Sequence, residues 1–120
     1  MRLLATLTLV AASLCAAPPS YAAGFDGSWS LLVVTEKGTC DSAYRYPLRI
    51  SHGVVGHAEG ASSSFSIKGS VAGNGAVSVR VSRGDKSASG SGRLSGAAGT
   101  GKWRTADNGC SGYWQAERRG

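Results

Sequence analysis

The sequence predicts an all-β fold: a small antiparallel up-and-down β-barrel of about eight strands, closed by one disulfide, with a two-sheet β-sandwich as the alternative. Three observations lead there. Beyond Gly24 no stretch carries the apolar period of a helix, whereas several alternate apolar and polar residues strictly with period two. Turn residues interrupt these stretches at short, regular intervals, at His52-Gly53, Gly60-Ala61, 72–75, 83–86, 95–99 and 106–109. The end of the chain, where fraying is the rule, holds Cys110 and Trp114.

From the N-terminus, Met1 and Arg2 precede an apolar run, 3–17, which breaks at Pro18 and Pro19. A charged start, a short apolar centre and small residues at Ser20 and Ala22 are the layout of a secretory signal peptide over 1–22, with cleavage expected after Ala22. A lipoprotein route through Cys15 is disfavoured by Leu14, where that chemistry needs a small residue. The leader's run is too short to span a membrane as a helix, so a soluble, secreted or periplasmic domain over 23–120 is expected. Losing Arg2 from thirteen Lys and Arg leaves twelve against seven acids, a formal charge of +5. That balance suits acidic surfaces as partners. Arg45, Arg49, Lys68, Arg80, Arg83, Arg93, Lys102 and Arg104 are nonetheless scattered singly, without the stripe of a nucleic-acid binder, and no nucleic acid is expected.

The first strand is expected over 28–35 and contains the apolar run 29–34. The second, 44–51, sets Tyr44, Tyr46, Leu48 and Ile50 against Arg45, Arg49 and Ser51. Pro47 lies inside it and cannot donate to a ladder, so this strand must bulge or be exposed there. A third over 54–59 and a fourth over 63–71 follow, the latter with Phe65, Ile67 and Val71 opposite Ser66, Lys68 and Ser70. The fifth, 76–82, points Val77, Val79 and Val81 one way and Ser78, Arg80 and Ser82 the other. Residues 87–101 have the composition of a flexible linker, yet the alternation runs through them. Ala88, Gly90, Gly92 and Leu94 oppose Ser87, Ser89, Ser91 and Arg93, and then Gly99, Gly101 and Trp103 oppose Thr100, Lys102 and Arg104. Strands are therefore expected over 87–95 and 99–104, their inward glycines letting the wall coil and an aromatic ring lie on bare backbone. The eighth, 110–118, places Gly112, Trp114 and Ala116 on one register. Outward Lys68, Ser78, Arg80, Arg93 and Lys102 argue against a lipid-facing wall, and so against an outer-membrane barrel.

With an even number of strands in this order, the first and last can pair antiparallel and close the barrel, which removes both edges. Closure brings Cys40, just past the first strand, to Cys110, which opens the last. A disulfide would pin that seam, and closing so long a loop stabilises by roughly 4 kcal/mol in the chain-entropy model. At the other end of the seam Trp29 is expected near Glu117, Arg118 or Arg119, where a guanidinium can stack on the indole. Gly27-Ser28-Trp29 at the start of such a barrel resembles the calycins, the lipocalin and avidin superfamily. That resemblance covers the two ends of the chain, and lipocalins carry an Arg from the last strand over the Trp, a role it implies for Arg118. Residues 27–50, about a fifth of the chain, also resemble the opening of small secreted bacterial inhibitors of metalloproteases, themselves eight-stranded barrels. There the pattern departs at Cys110, which lies at the far end rather than early, and in the little chain that precedes Phe25 to form an inserting arm.

No catalytic constellation stands out: His52 and His57 can be matched with serines on paper, but no nucleophile elbow surrounds any of them. His57 and Glu59 share a strand face and with His52 suggest a metal, though solvated polar loop residues are the plainer reading; no metal or cofactor is expected. The aromatics carry more. Trp29, Tyr44, Tyr46, Trp103 and Trp114 all fall on inward registers and are the candidate ligand-binding residues. An eight-stranded barrel is wide enough only for its own side chains or one small ligand, and the length of the inward apolar list favours a filled core with a shallow mouth. The expectation is an exported, non-enzymatic, monomeric binding protein for a small apolar or aromatic ligand at a glycine-rich barrel mouth. The alternative is a secreted inhibitor of a protease or other enzyme acting through loops 36–43 and 105–109.

Overall fold

Strict alternation gives each strand an apolar and a polar face, and a sheet of such strands hides its apolar face best by curling until its edges meet. The structure, a computed structural model, describes residues 23–61 and 64–119; the expected leader over 1–22, with Cys15, lies outside them. A short 3-10 turn, Ala23–Phe25, leads into eight strands: β1 (Gly27–Lys37), β2 (Ala43–Ser51), β3 (Val54–His57), β4 (Ser66–Val71), β5 (Ala76–Arg83), β6 (Lys86–Ser95), β7 (Ala98–Thr105) and β8 (Ser111–Arg118). They form a closed antiparallel barrel in chain order. The sandwich alternative falls, because β1 pairs with β2 on one side and β8 on the other.

The seam runs from Trp29 opposite Arg118 to Lys37 opposite Ser111, with a register shift at Glu36. Just past β1, Cys40 is bonded to Cys110 at an S–S distance of 2.02 Å. β6 and β7 are continuous strands through the glycine-rich segment, Gly92 opposite Gly101.

The expected third and fourth strands are shorter at their facing ends. β3 and β4 share only the register pairs Val54 with Ser70 and Val55 with Gly69. Beyond them the backbones part, and the His57 side chain spans the gap with Nε2 2.9 Å from the Phe65 carbonyl. Pro47 causes no bulge: its pairing with Ser30 lies within an unbroken β1–β2 register. On its other side β2 has no partner there, since the β2–β3 ladder begins at Leu48. The missing N–H is tolerated because that stretch of β2 is an edge.

The core collects at one end. Trp29 (2 % exposed), Ile50, Val55, Val71, Leu94, Trp114 and Ala116 form it, with Phe25 packed beneath. Arg118 seals this floor, its guanidinium carbon 5.0 Å from the Trp29 ring centre, and it donates to the carbonyls of Asp26 (2.7 Å) and Gly24. Trp29 itself donates Nε1–H to the Phe25 carbonyl at 2.8 Å. The β2–β3 turn passes through positive φ at His52 (53°) and Gly53 (75°), and the Asp26 carboxylate accepts from both of their backbone N–H groups, at 2.8 and 3.2 Å.

Candidate functional site

From the floor the barrel opens toward the β1–β2, β3–β4, β5–β6 and β7–β8 loops, and its interior is a cup of about 360 Å³. The expected filled core is thus corrected. The physical reason lies on β6, where the inward positions Ala88 and Gly90 line the cup and contribute almost no volume beside their β5 neighbours Val81 and Val79.

All five candidate aromatics line this cup, at different depths. Trp29 lies on the floor, not at the mouth. Trp114 (7 % exposed) lies against bare backbone halfway up: a Cβ added at Gly92 or Gly101 would come within 2.6 or 2.5 Å of its ring. The glycines are therefore a seat for an indole in the wall, not a feature of the mouth. Trp103 reaches across β8 to donate Nε1–H to the Val34 carbonyl at 3.0 Å. The close approach of β1 and β8 there requires glycine at 112, where a Cβ would fall 1.9 Å from that same oxygen. Tyr46 packs with Phe65 and His57, ring centres 5.1 and 5.7 Å away. Tyr44, 48 % exposed, stands at the rim with Asp41 and Arg83. Burial, and then the Asp41 carboxylate, push its phenol above the usual tyrosine range, while Arg83 pulls the other way.

His57 corrects a second expectation, since it is a wall residue and not a solvated loop residue. Phe65 O can only accept, so Nε2 carries the proton, and Nδ1 then accepts from the Tyr46 hydroxyl. The sequence signal was present in its phase with inward Val55. Phe65 and Arg83 also line the cup. Among the described residues no group of three His, Cys, Asp or Glu is placed to hold a metal, and no helix is long and apolar enough to cross a membrane.

The rim is held by its own side chains. Thr35 donates to the Asp41 carbonyl at 2.6 Å, and Asp107 accepts from Thr105 Oγ1 (2.7 Å) and the Gly109 N–H (2.8 Å). Hydrogen bonds, from the Thr105 hydroxyl first, hold Asp107 below the ordinary aspartate value of 3.8, and the His52 and Gly53 amides do the same for Asp26 at the floor. A carboxyl whose pKa is lower folded than unfolded contributes stability above its unfolded value and loses it as pH falls through the folded one. Asp107→Asn and Asp26→Asn should each make the acid decline in stability shallower below about pH 4, as measured by urea unfolding across that range. An identical slope in wild type and both variants contradicts these roles.

Charge gathers where the sequence showed it scattered. β4, β5, β6 and β7 contain no acid, and their outward positions include Lys68, Arg80, Arg93, Lys102 and Arg104 among serines. Lys68 and Arg80 are directly opposed across β4 and β5, and among the described residues Lys102 reaches a carboxylate only at Glu36, 4.0 Å away. No known protein-family model matches the chain, and no curated protein matches it.

Proposed function

We propose that this is an exported, non-enzymatic binding protein that takes a small apolar or aromatic ligand into the cup. One observation carries the reading: an open cup of about 360 Å³, walled by aliphatic and aromatic side chains, in a barrel whose floor is closed by Trp29 and Arg118. Such volume and lining suit ligand pockets in general. Of the polar side chains in its lining, those of Tyr46 and Thr35 are engaged in holding the wall and rim. Kinship with the calycins is supported by Arg118 over Trp29, and export by the disulfide. The basic outer wall supports an acidic surface as a further partner.

The test is tryptophan fluorescence, because all three indoles lie in the lining. Titration with neutral aromatic compounds should give a saturable shift. Val81→Phe with Ala88→Phe, a directly opposed pair in the upper wall, should fill the cup and abolish it while leaving the unfolding midpoint in place. A wild-type protein silent to the whole panel would contradict the proposal.

A second reading, inhibition of an exported protease or other enzyme, is favoured by the disulfide that ties the segment after β1 to the β7–β8 loop at one rim. It predicts stoichiometric loss of enzyme activity, with no fluorescence response to small ligands.

A further inference from the structure

Below the rim, the cup's lining includes an indole N–H that no described residue matches. Trp29 and Trp103 each spend their indole N–H on a backbone carbonyl, whereas Trp114 Nε1 has no acceptor among the described residues. Trp114 is more than nine-tenths buried, so the donor is not relieved by bulk solvent outside the barrel. The Cε2–Cζ2 edge of the ring sits on Gly92 and Gly101, and Nε1 lies 3.6 Å from where a Cβ of Gly90 would stand, one inward position nearer the mouth. Gly90 offers no side chain there. Of its partners in register, Val79 presents only carbon and the Trp103 nitrogen is already engaged.

We infer that the cup selects ligands bearing a hydrogen-bond acceptor, such as a carbonyl, ether or ring nitrogen, placed to meet Trp114 Nε1, over all-carbon ligands of the same shape. The inference rests on the cup being a ligand site, as proposed above. An all-carbon ligand that displaces solvent strips this donor of water and returns nothing, and a buried donor left unmatched weakens binding by about tenfold or more. A ligand with an acceptor avoids that loss. Sites that hydrogen-bond a ligand discriminate in this way more strongly than sites that measure only its size.

The experiment compares naphthalene with quinoline, which replaces one ring C–H by a nitrogen acceptor, on wild type, Trp114→Phe and Gly90→Ser. Fluorescence from Trp29 and Trp103 reports binding in all three proteins, and far-UV circular dichroism reports folding. Phenylalanine keeps a ring on the glycine seat and removes the N–H. Serine at 90 keeps every indole and supplies a hydroxyl within reach of Nε1. The ratio of quinoline to naphthalene affinity should fall about tenfold in both variants relative to wild type. Comparing ratios cancels the different cost of taking the two probes out of water. Both probes binding with the same ratio in all three proteins overturns the inference and leaves the cup standing. Failure of both probes to bind wild type overturns the cup as a site and the inference with it, and naphthalene binding where quinoline does not overturns the inference alone.

Discussion

Replacing Cys40 and Cys110 together, by serine and alanine respectively, is expected to lower the unfolding free energy by about 4 kcal/mol. The cross-link spans 70 residues of sequence, so without it the unfolded chain regains the freedom of a very long loop. The same link holds the seam together at the mouth, where the β1–β8 ladder is interrupted by the shift at Glu36. Cys110 is buried and takes alanine, whereas Cys40 is exposed and takes serine without burying a hydroxyl. For a domain of this size the change corresponds to a fall in Tm of roughly 20 °C. Thermal and urea unfolding of the variant, beside wild type with and without a thiol reductant, measure it. A loss under about 1 kcal/mol would mean that the seam hydrogen bonds alone close the barrel. The reduced wild type and the variant should agree, since both lose the same constraint.

Trp29→Ala is expected to cost about 3–5 kcal/mol, a loss of the same order. Trp29 is the largest side chain fully removed from solvent, and three contacts meet on it: packing in the core, its bond to the Phe25 carbonyl and the Arg118 guanidinium over its ring. Truncation leaves a void at the floor, an unmatched carbonyl and a cation with no ring beneath it. Trp29→Phe separates these contributions by keeping most of the packing and losing the N–H, at about 1 kcal/mol. Arg118→Ala alone and combined with Trp29→Phe isolates the stacking, for which a coupling of about 0.5–1 kcal/mol is expected. The alanine variant should also lose the fluorescence response to cup ligands, because the cup becomes a tube open at both ends. A cost below about 1 kcal/mol would show that the floor is held by the surrounding aliphatics instead.

The arrangement that makes these two sites matter was largely written in the alternation. Val77, Val79 and Val81 could face inward only together, and so could Tyr44, Tyr46, Leu48 and Ile50, because a strand turns each successive side chain to the opposite face. Even residues 87–95, with a linker's composition, disclosed their strand through Leu94 and the in-phase glycines. The β3–β4 gap was not disclosed in that way. Val54 to Glu59 reads as one strand, and only the tertiary structure shows that the β3–β4 ladder stops at Val55 and that His57 bridges to the Phe65 carbonyl.

Periodicity along the chain decided the fold class, the inward set of residues, the meeting of the two ends and the pairing of Cys40 with Cys110, since each depends on face and order alone. The tertiary structure decided what the interior contains. Whether inward side chains meet or leave a cup depends on how their volumes sum across eight walls, and whether Trp103 or Trp114 finds an acceptor depends on oxygens up to 69 residues away in sequence. The basic wall belongs with these: Lys68 and Arg80 are remote from each other in the chain and become neighbours only through the β4–β5 register.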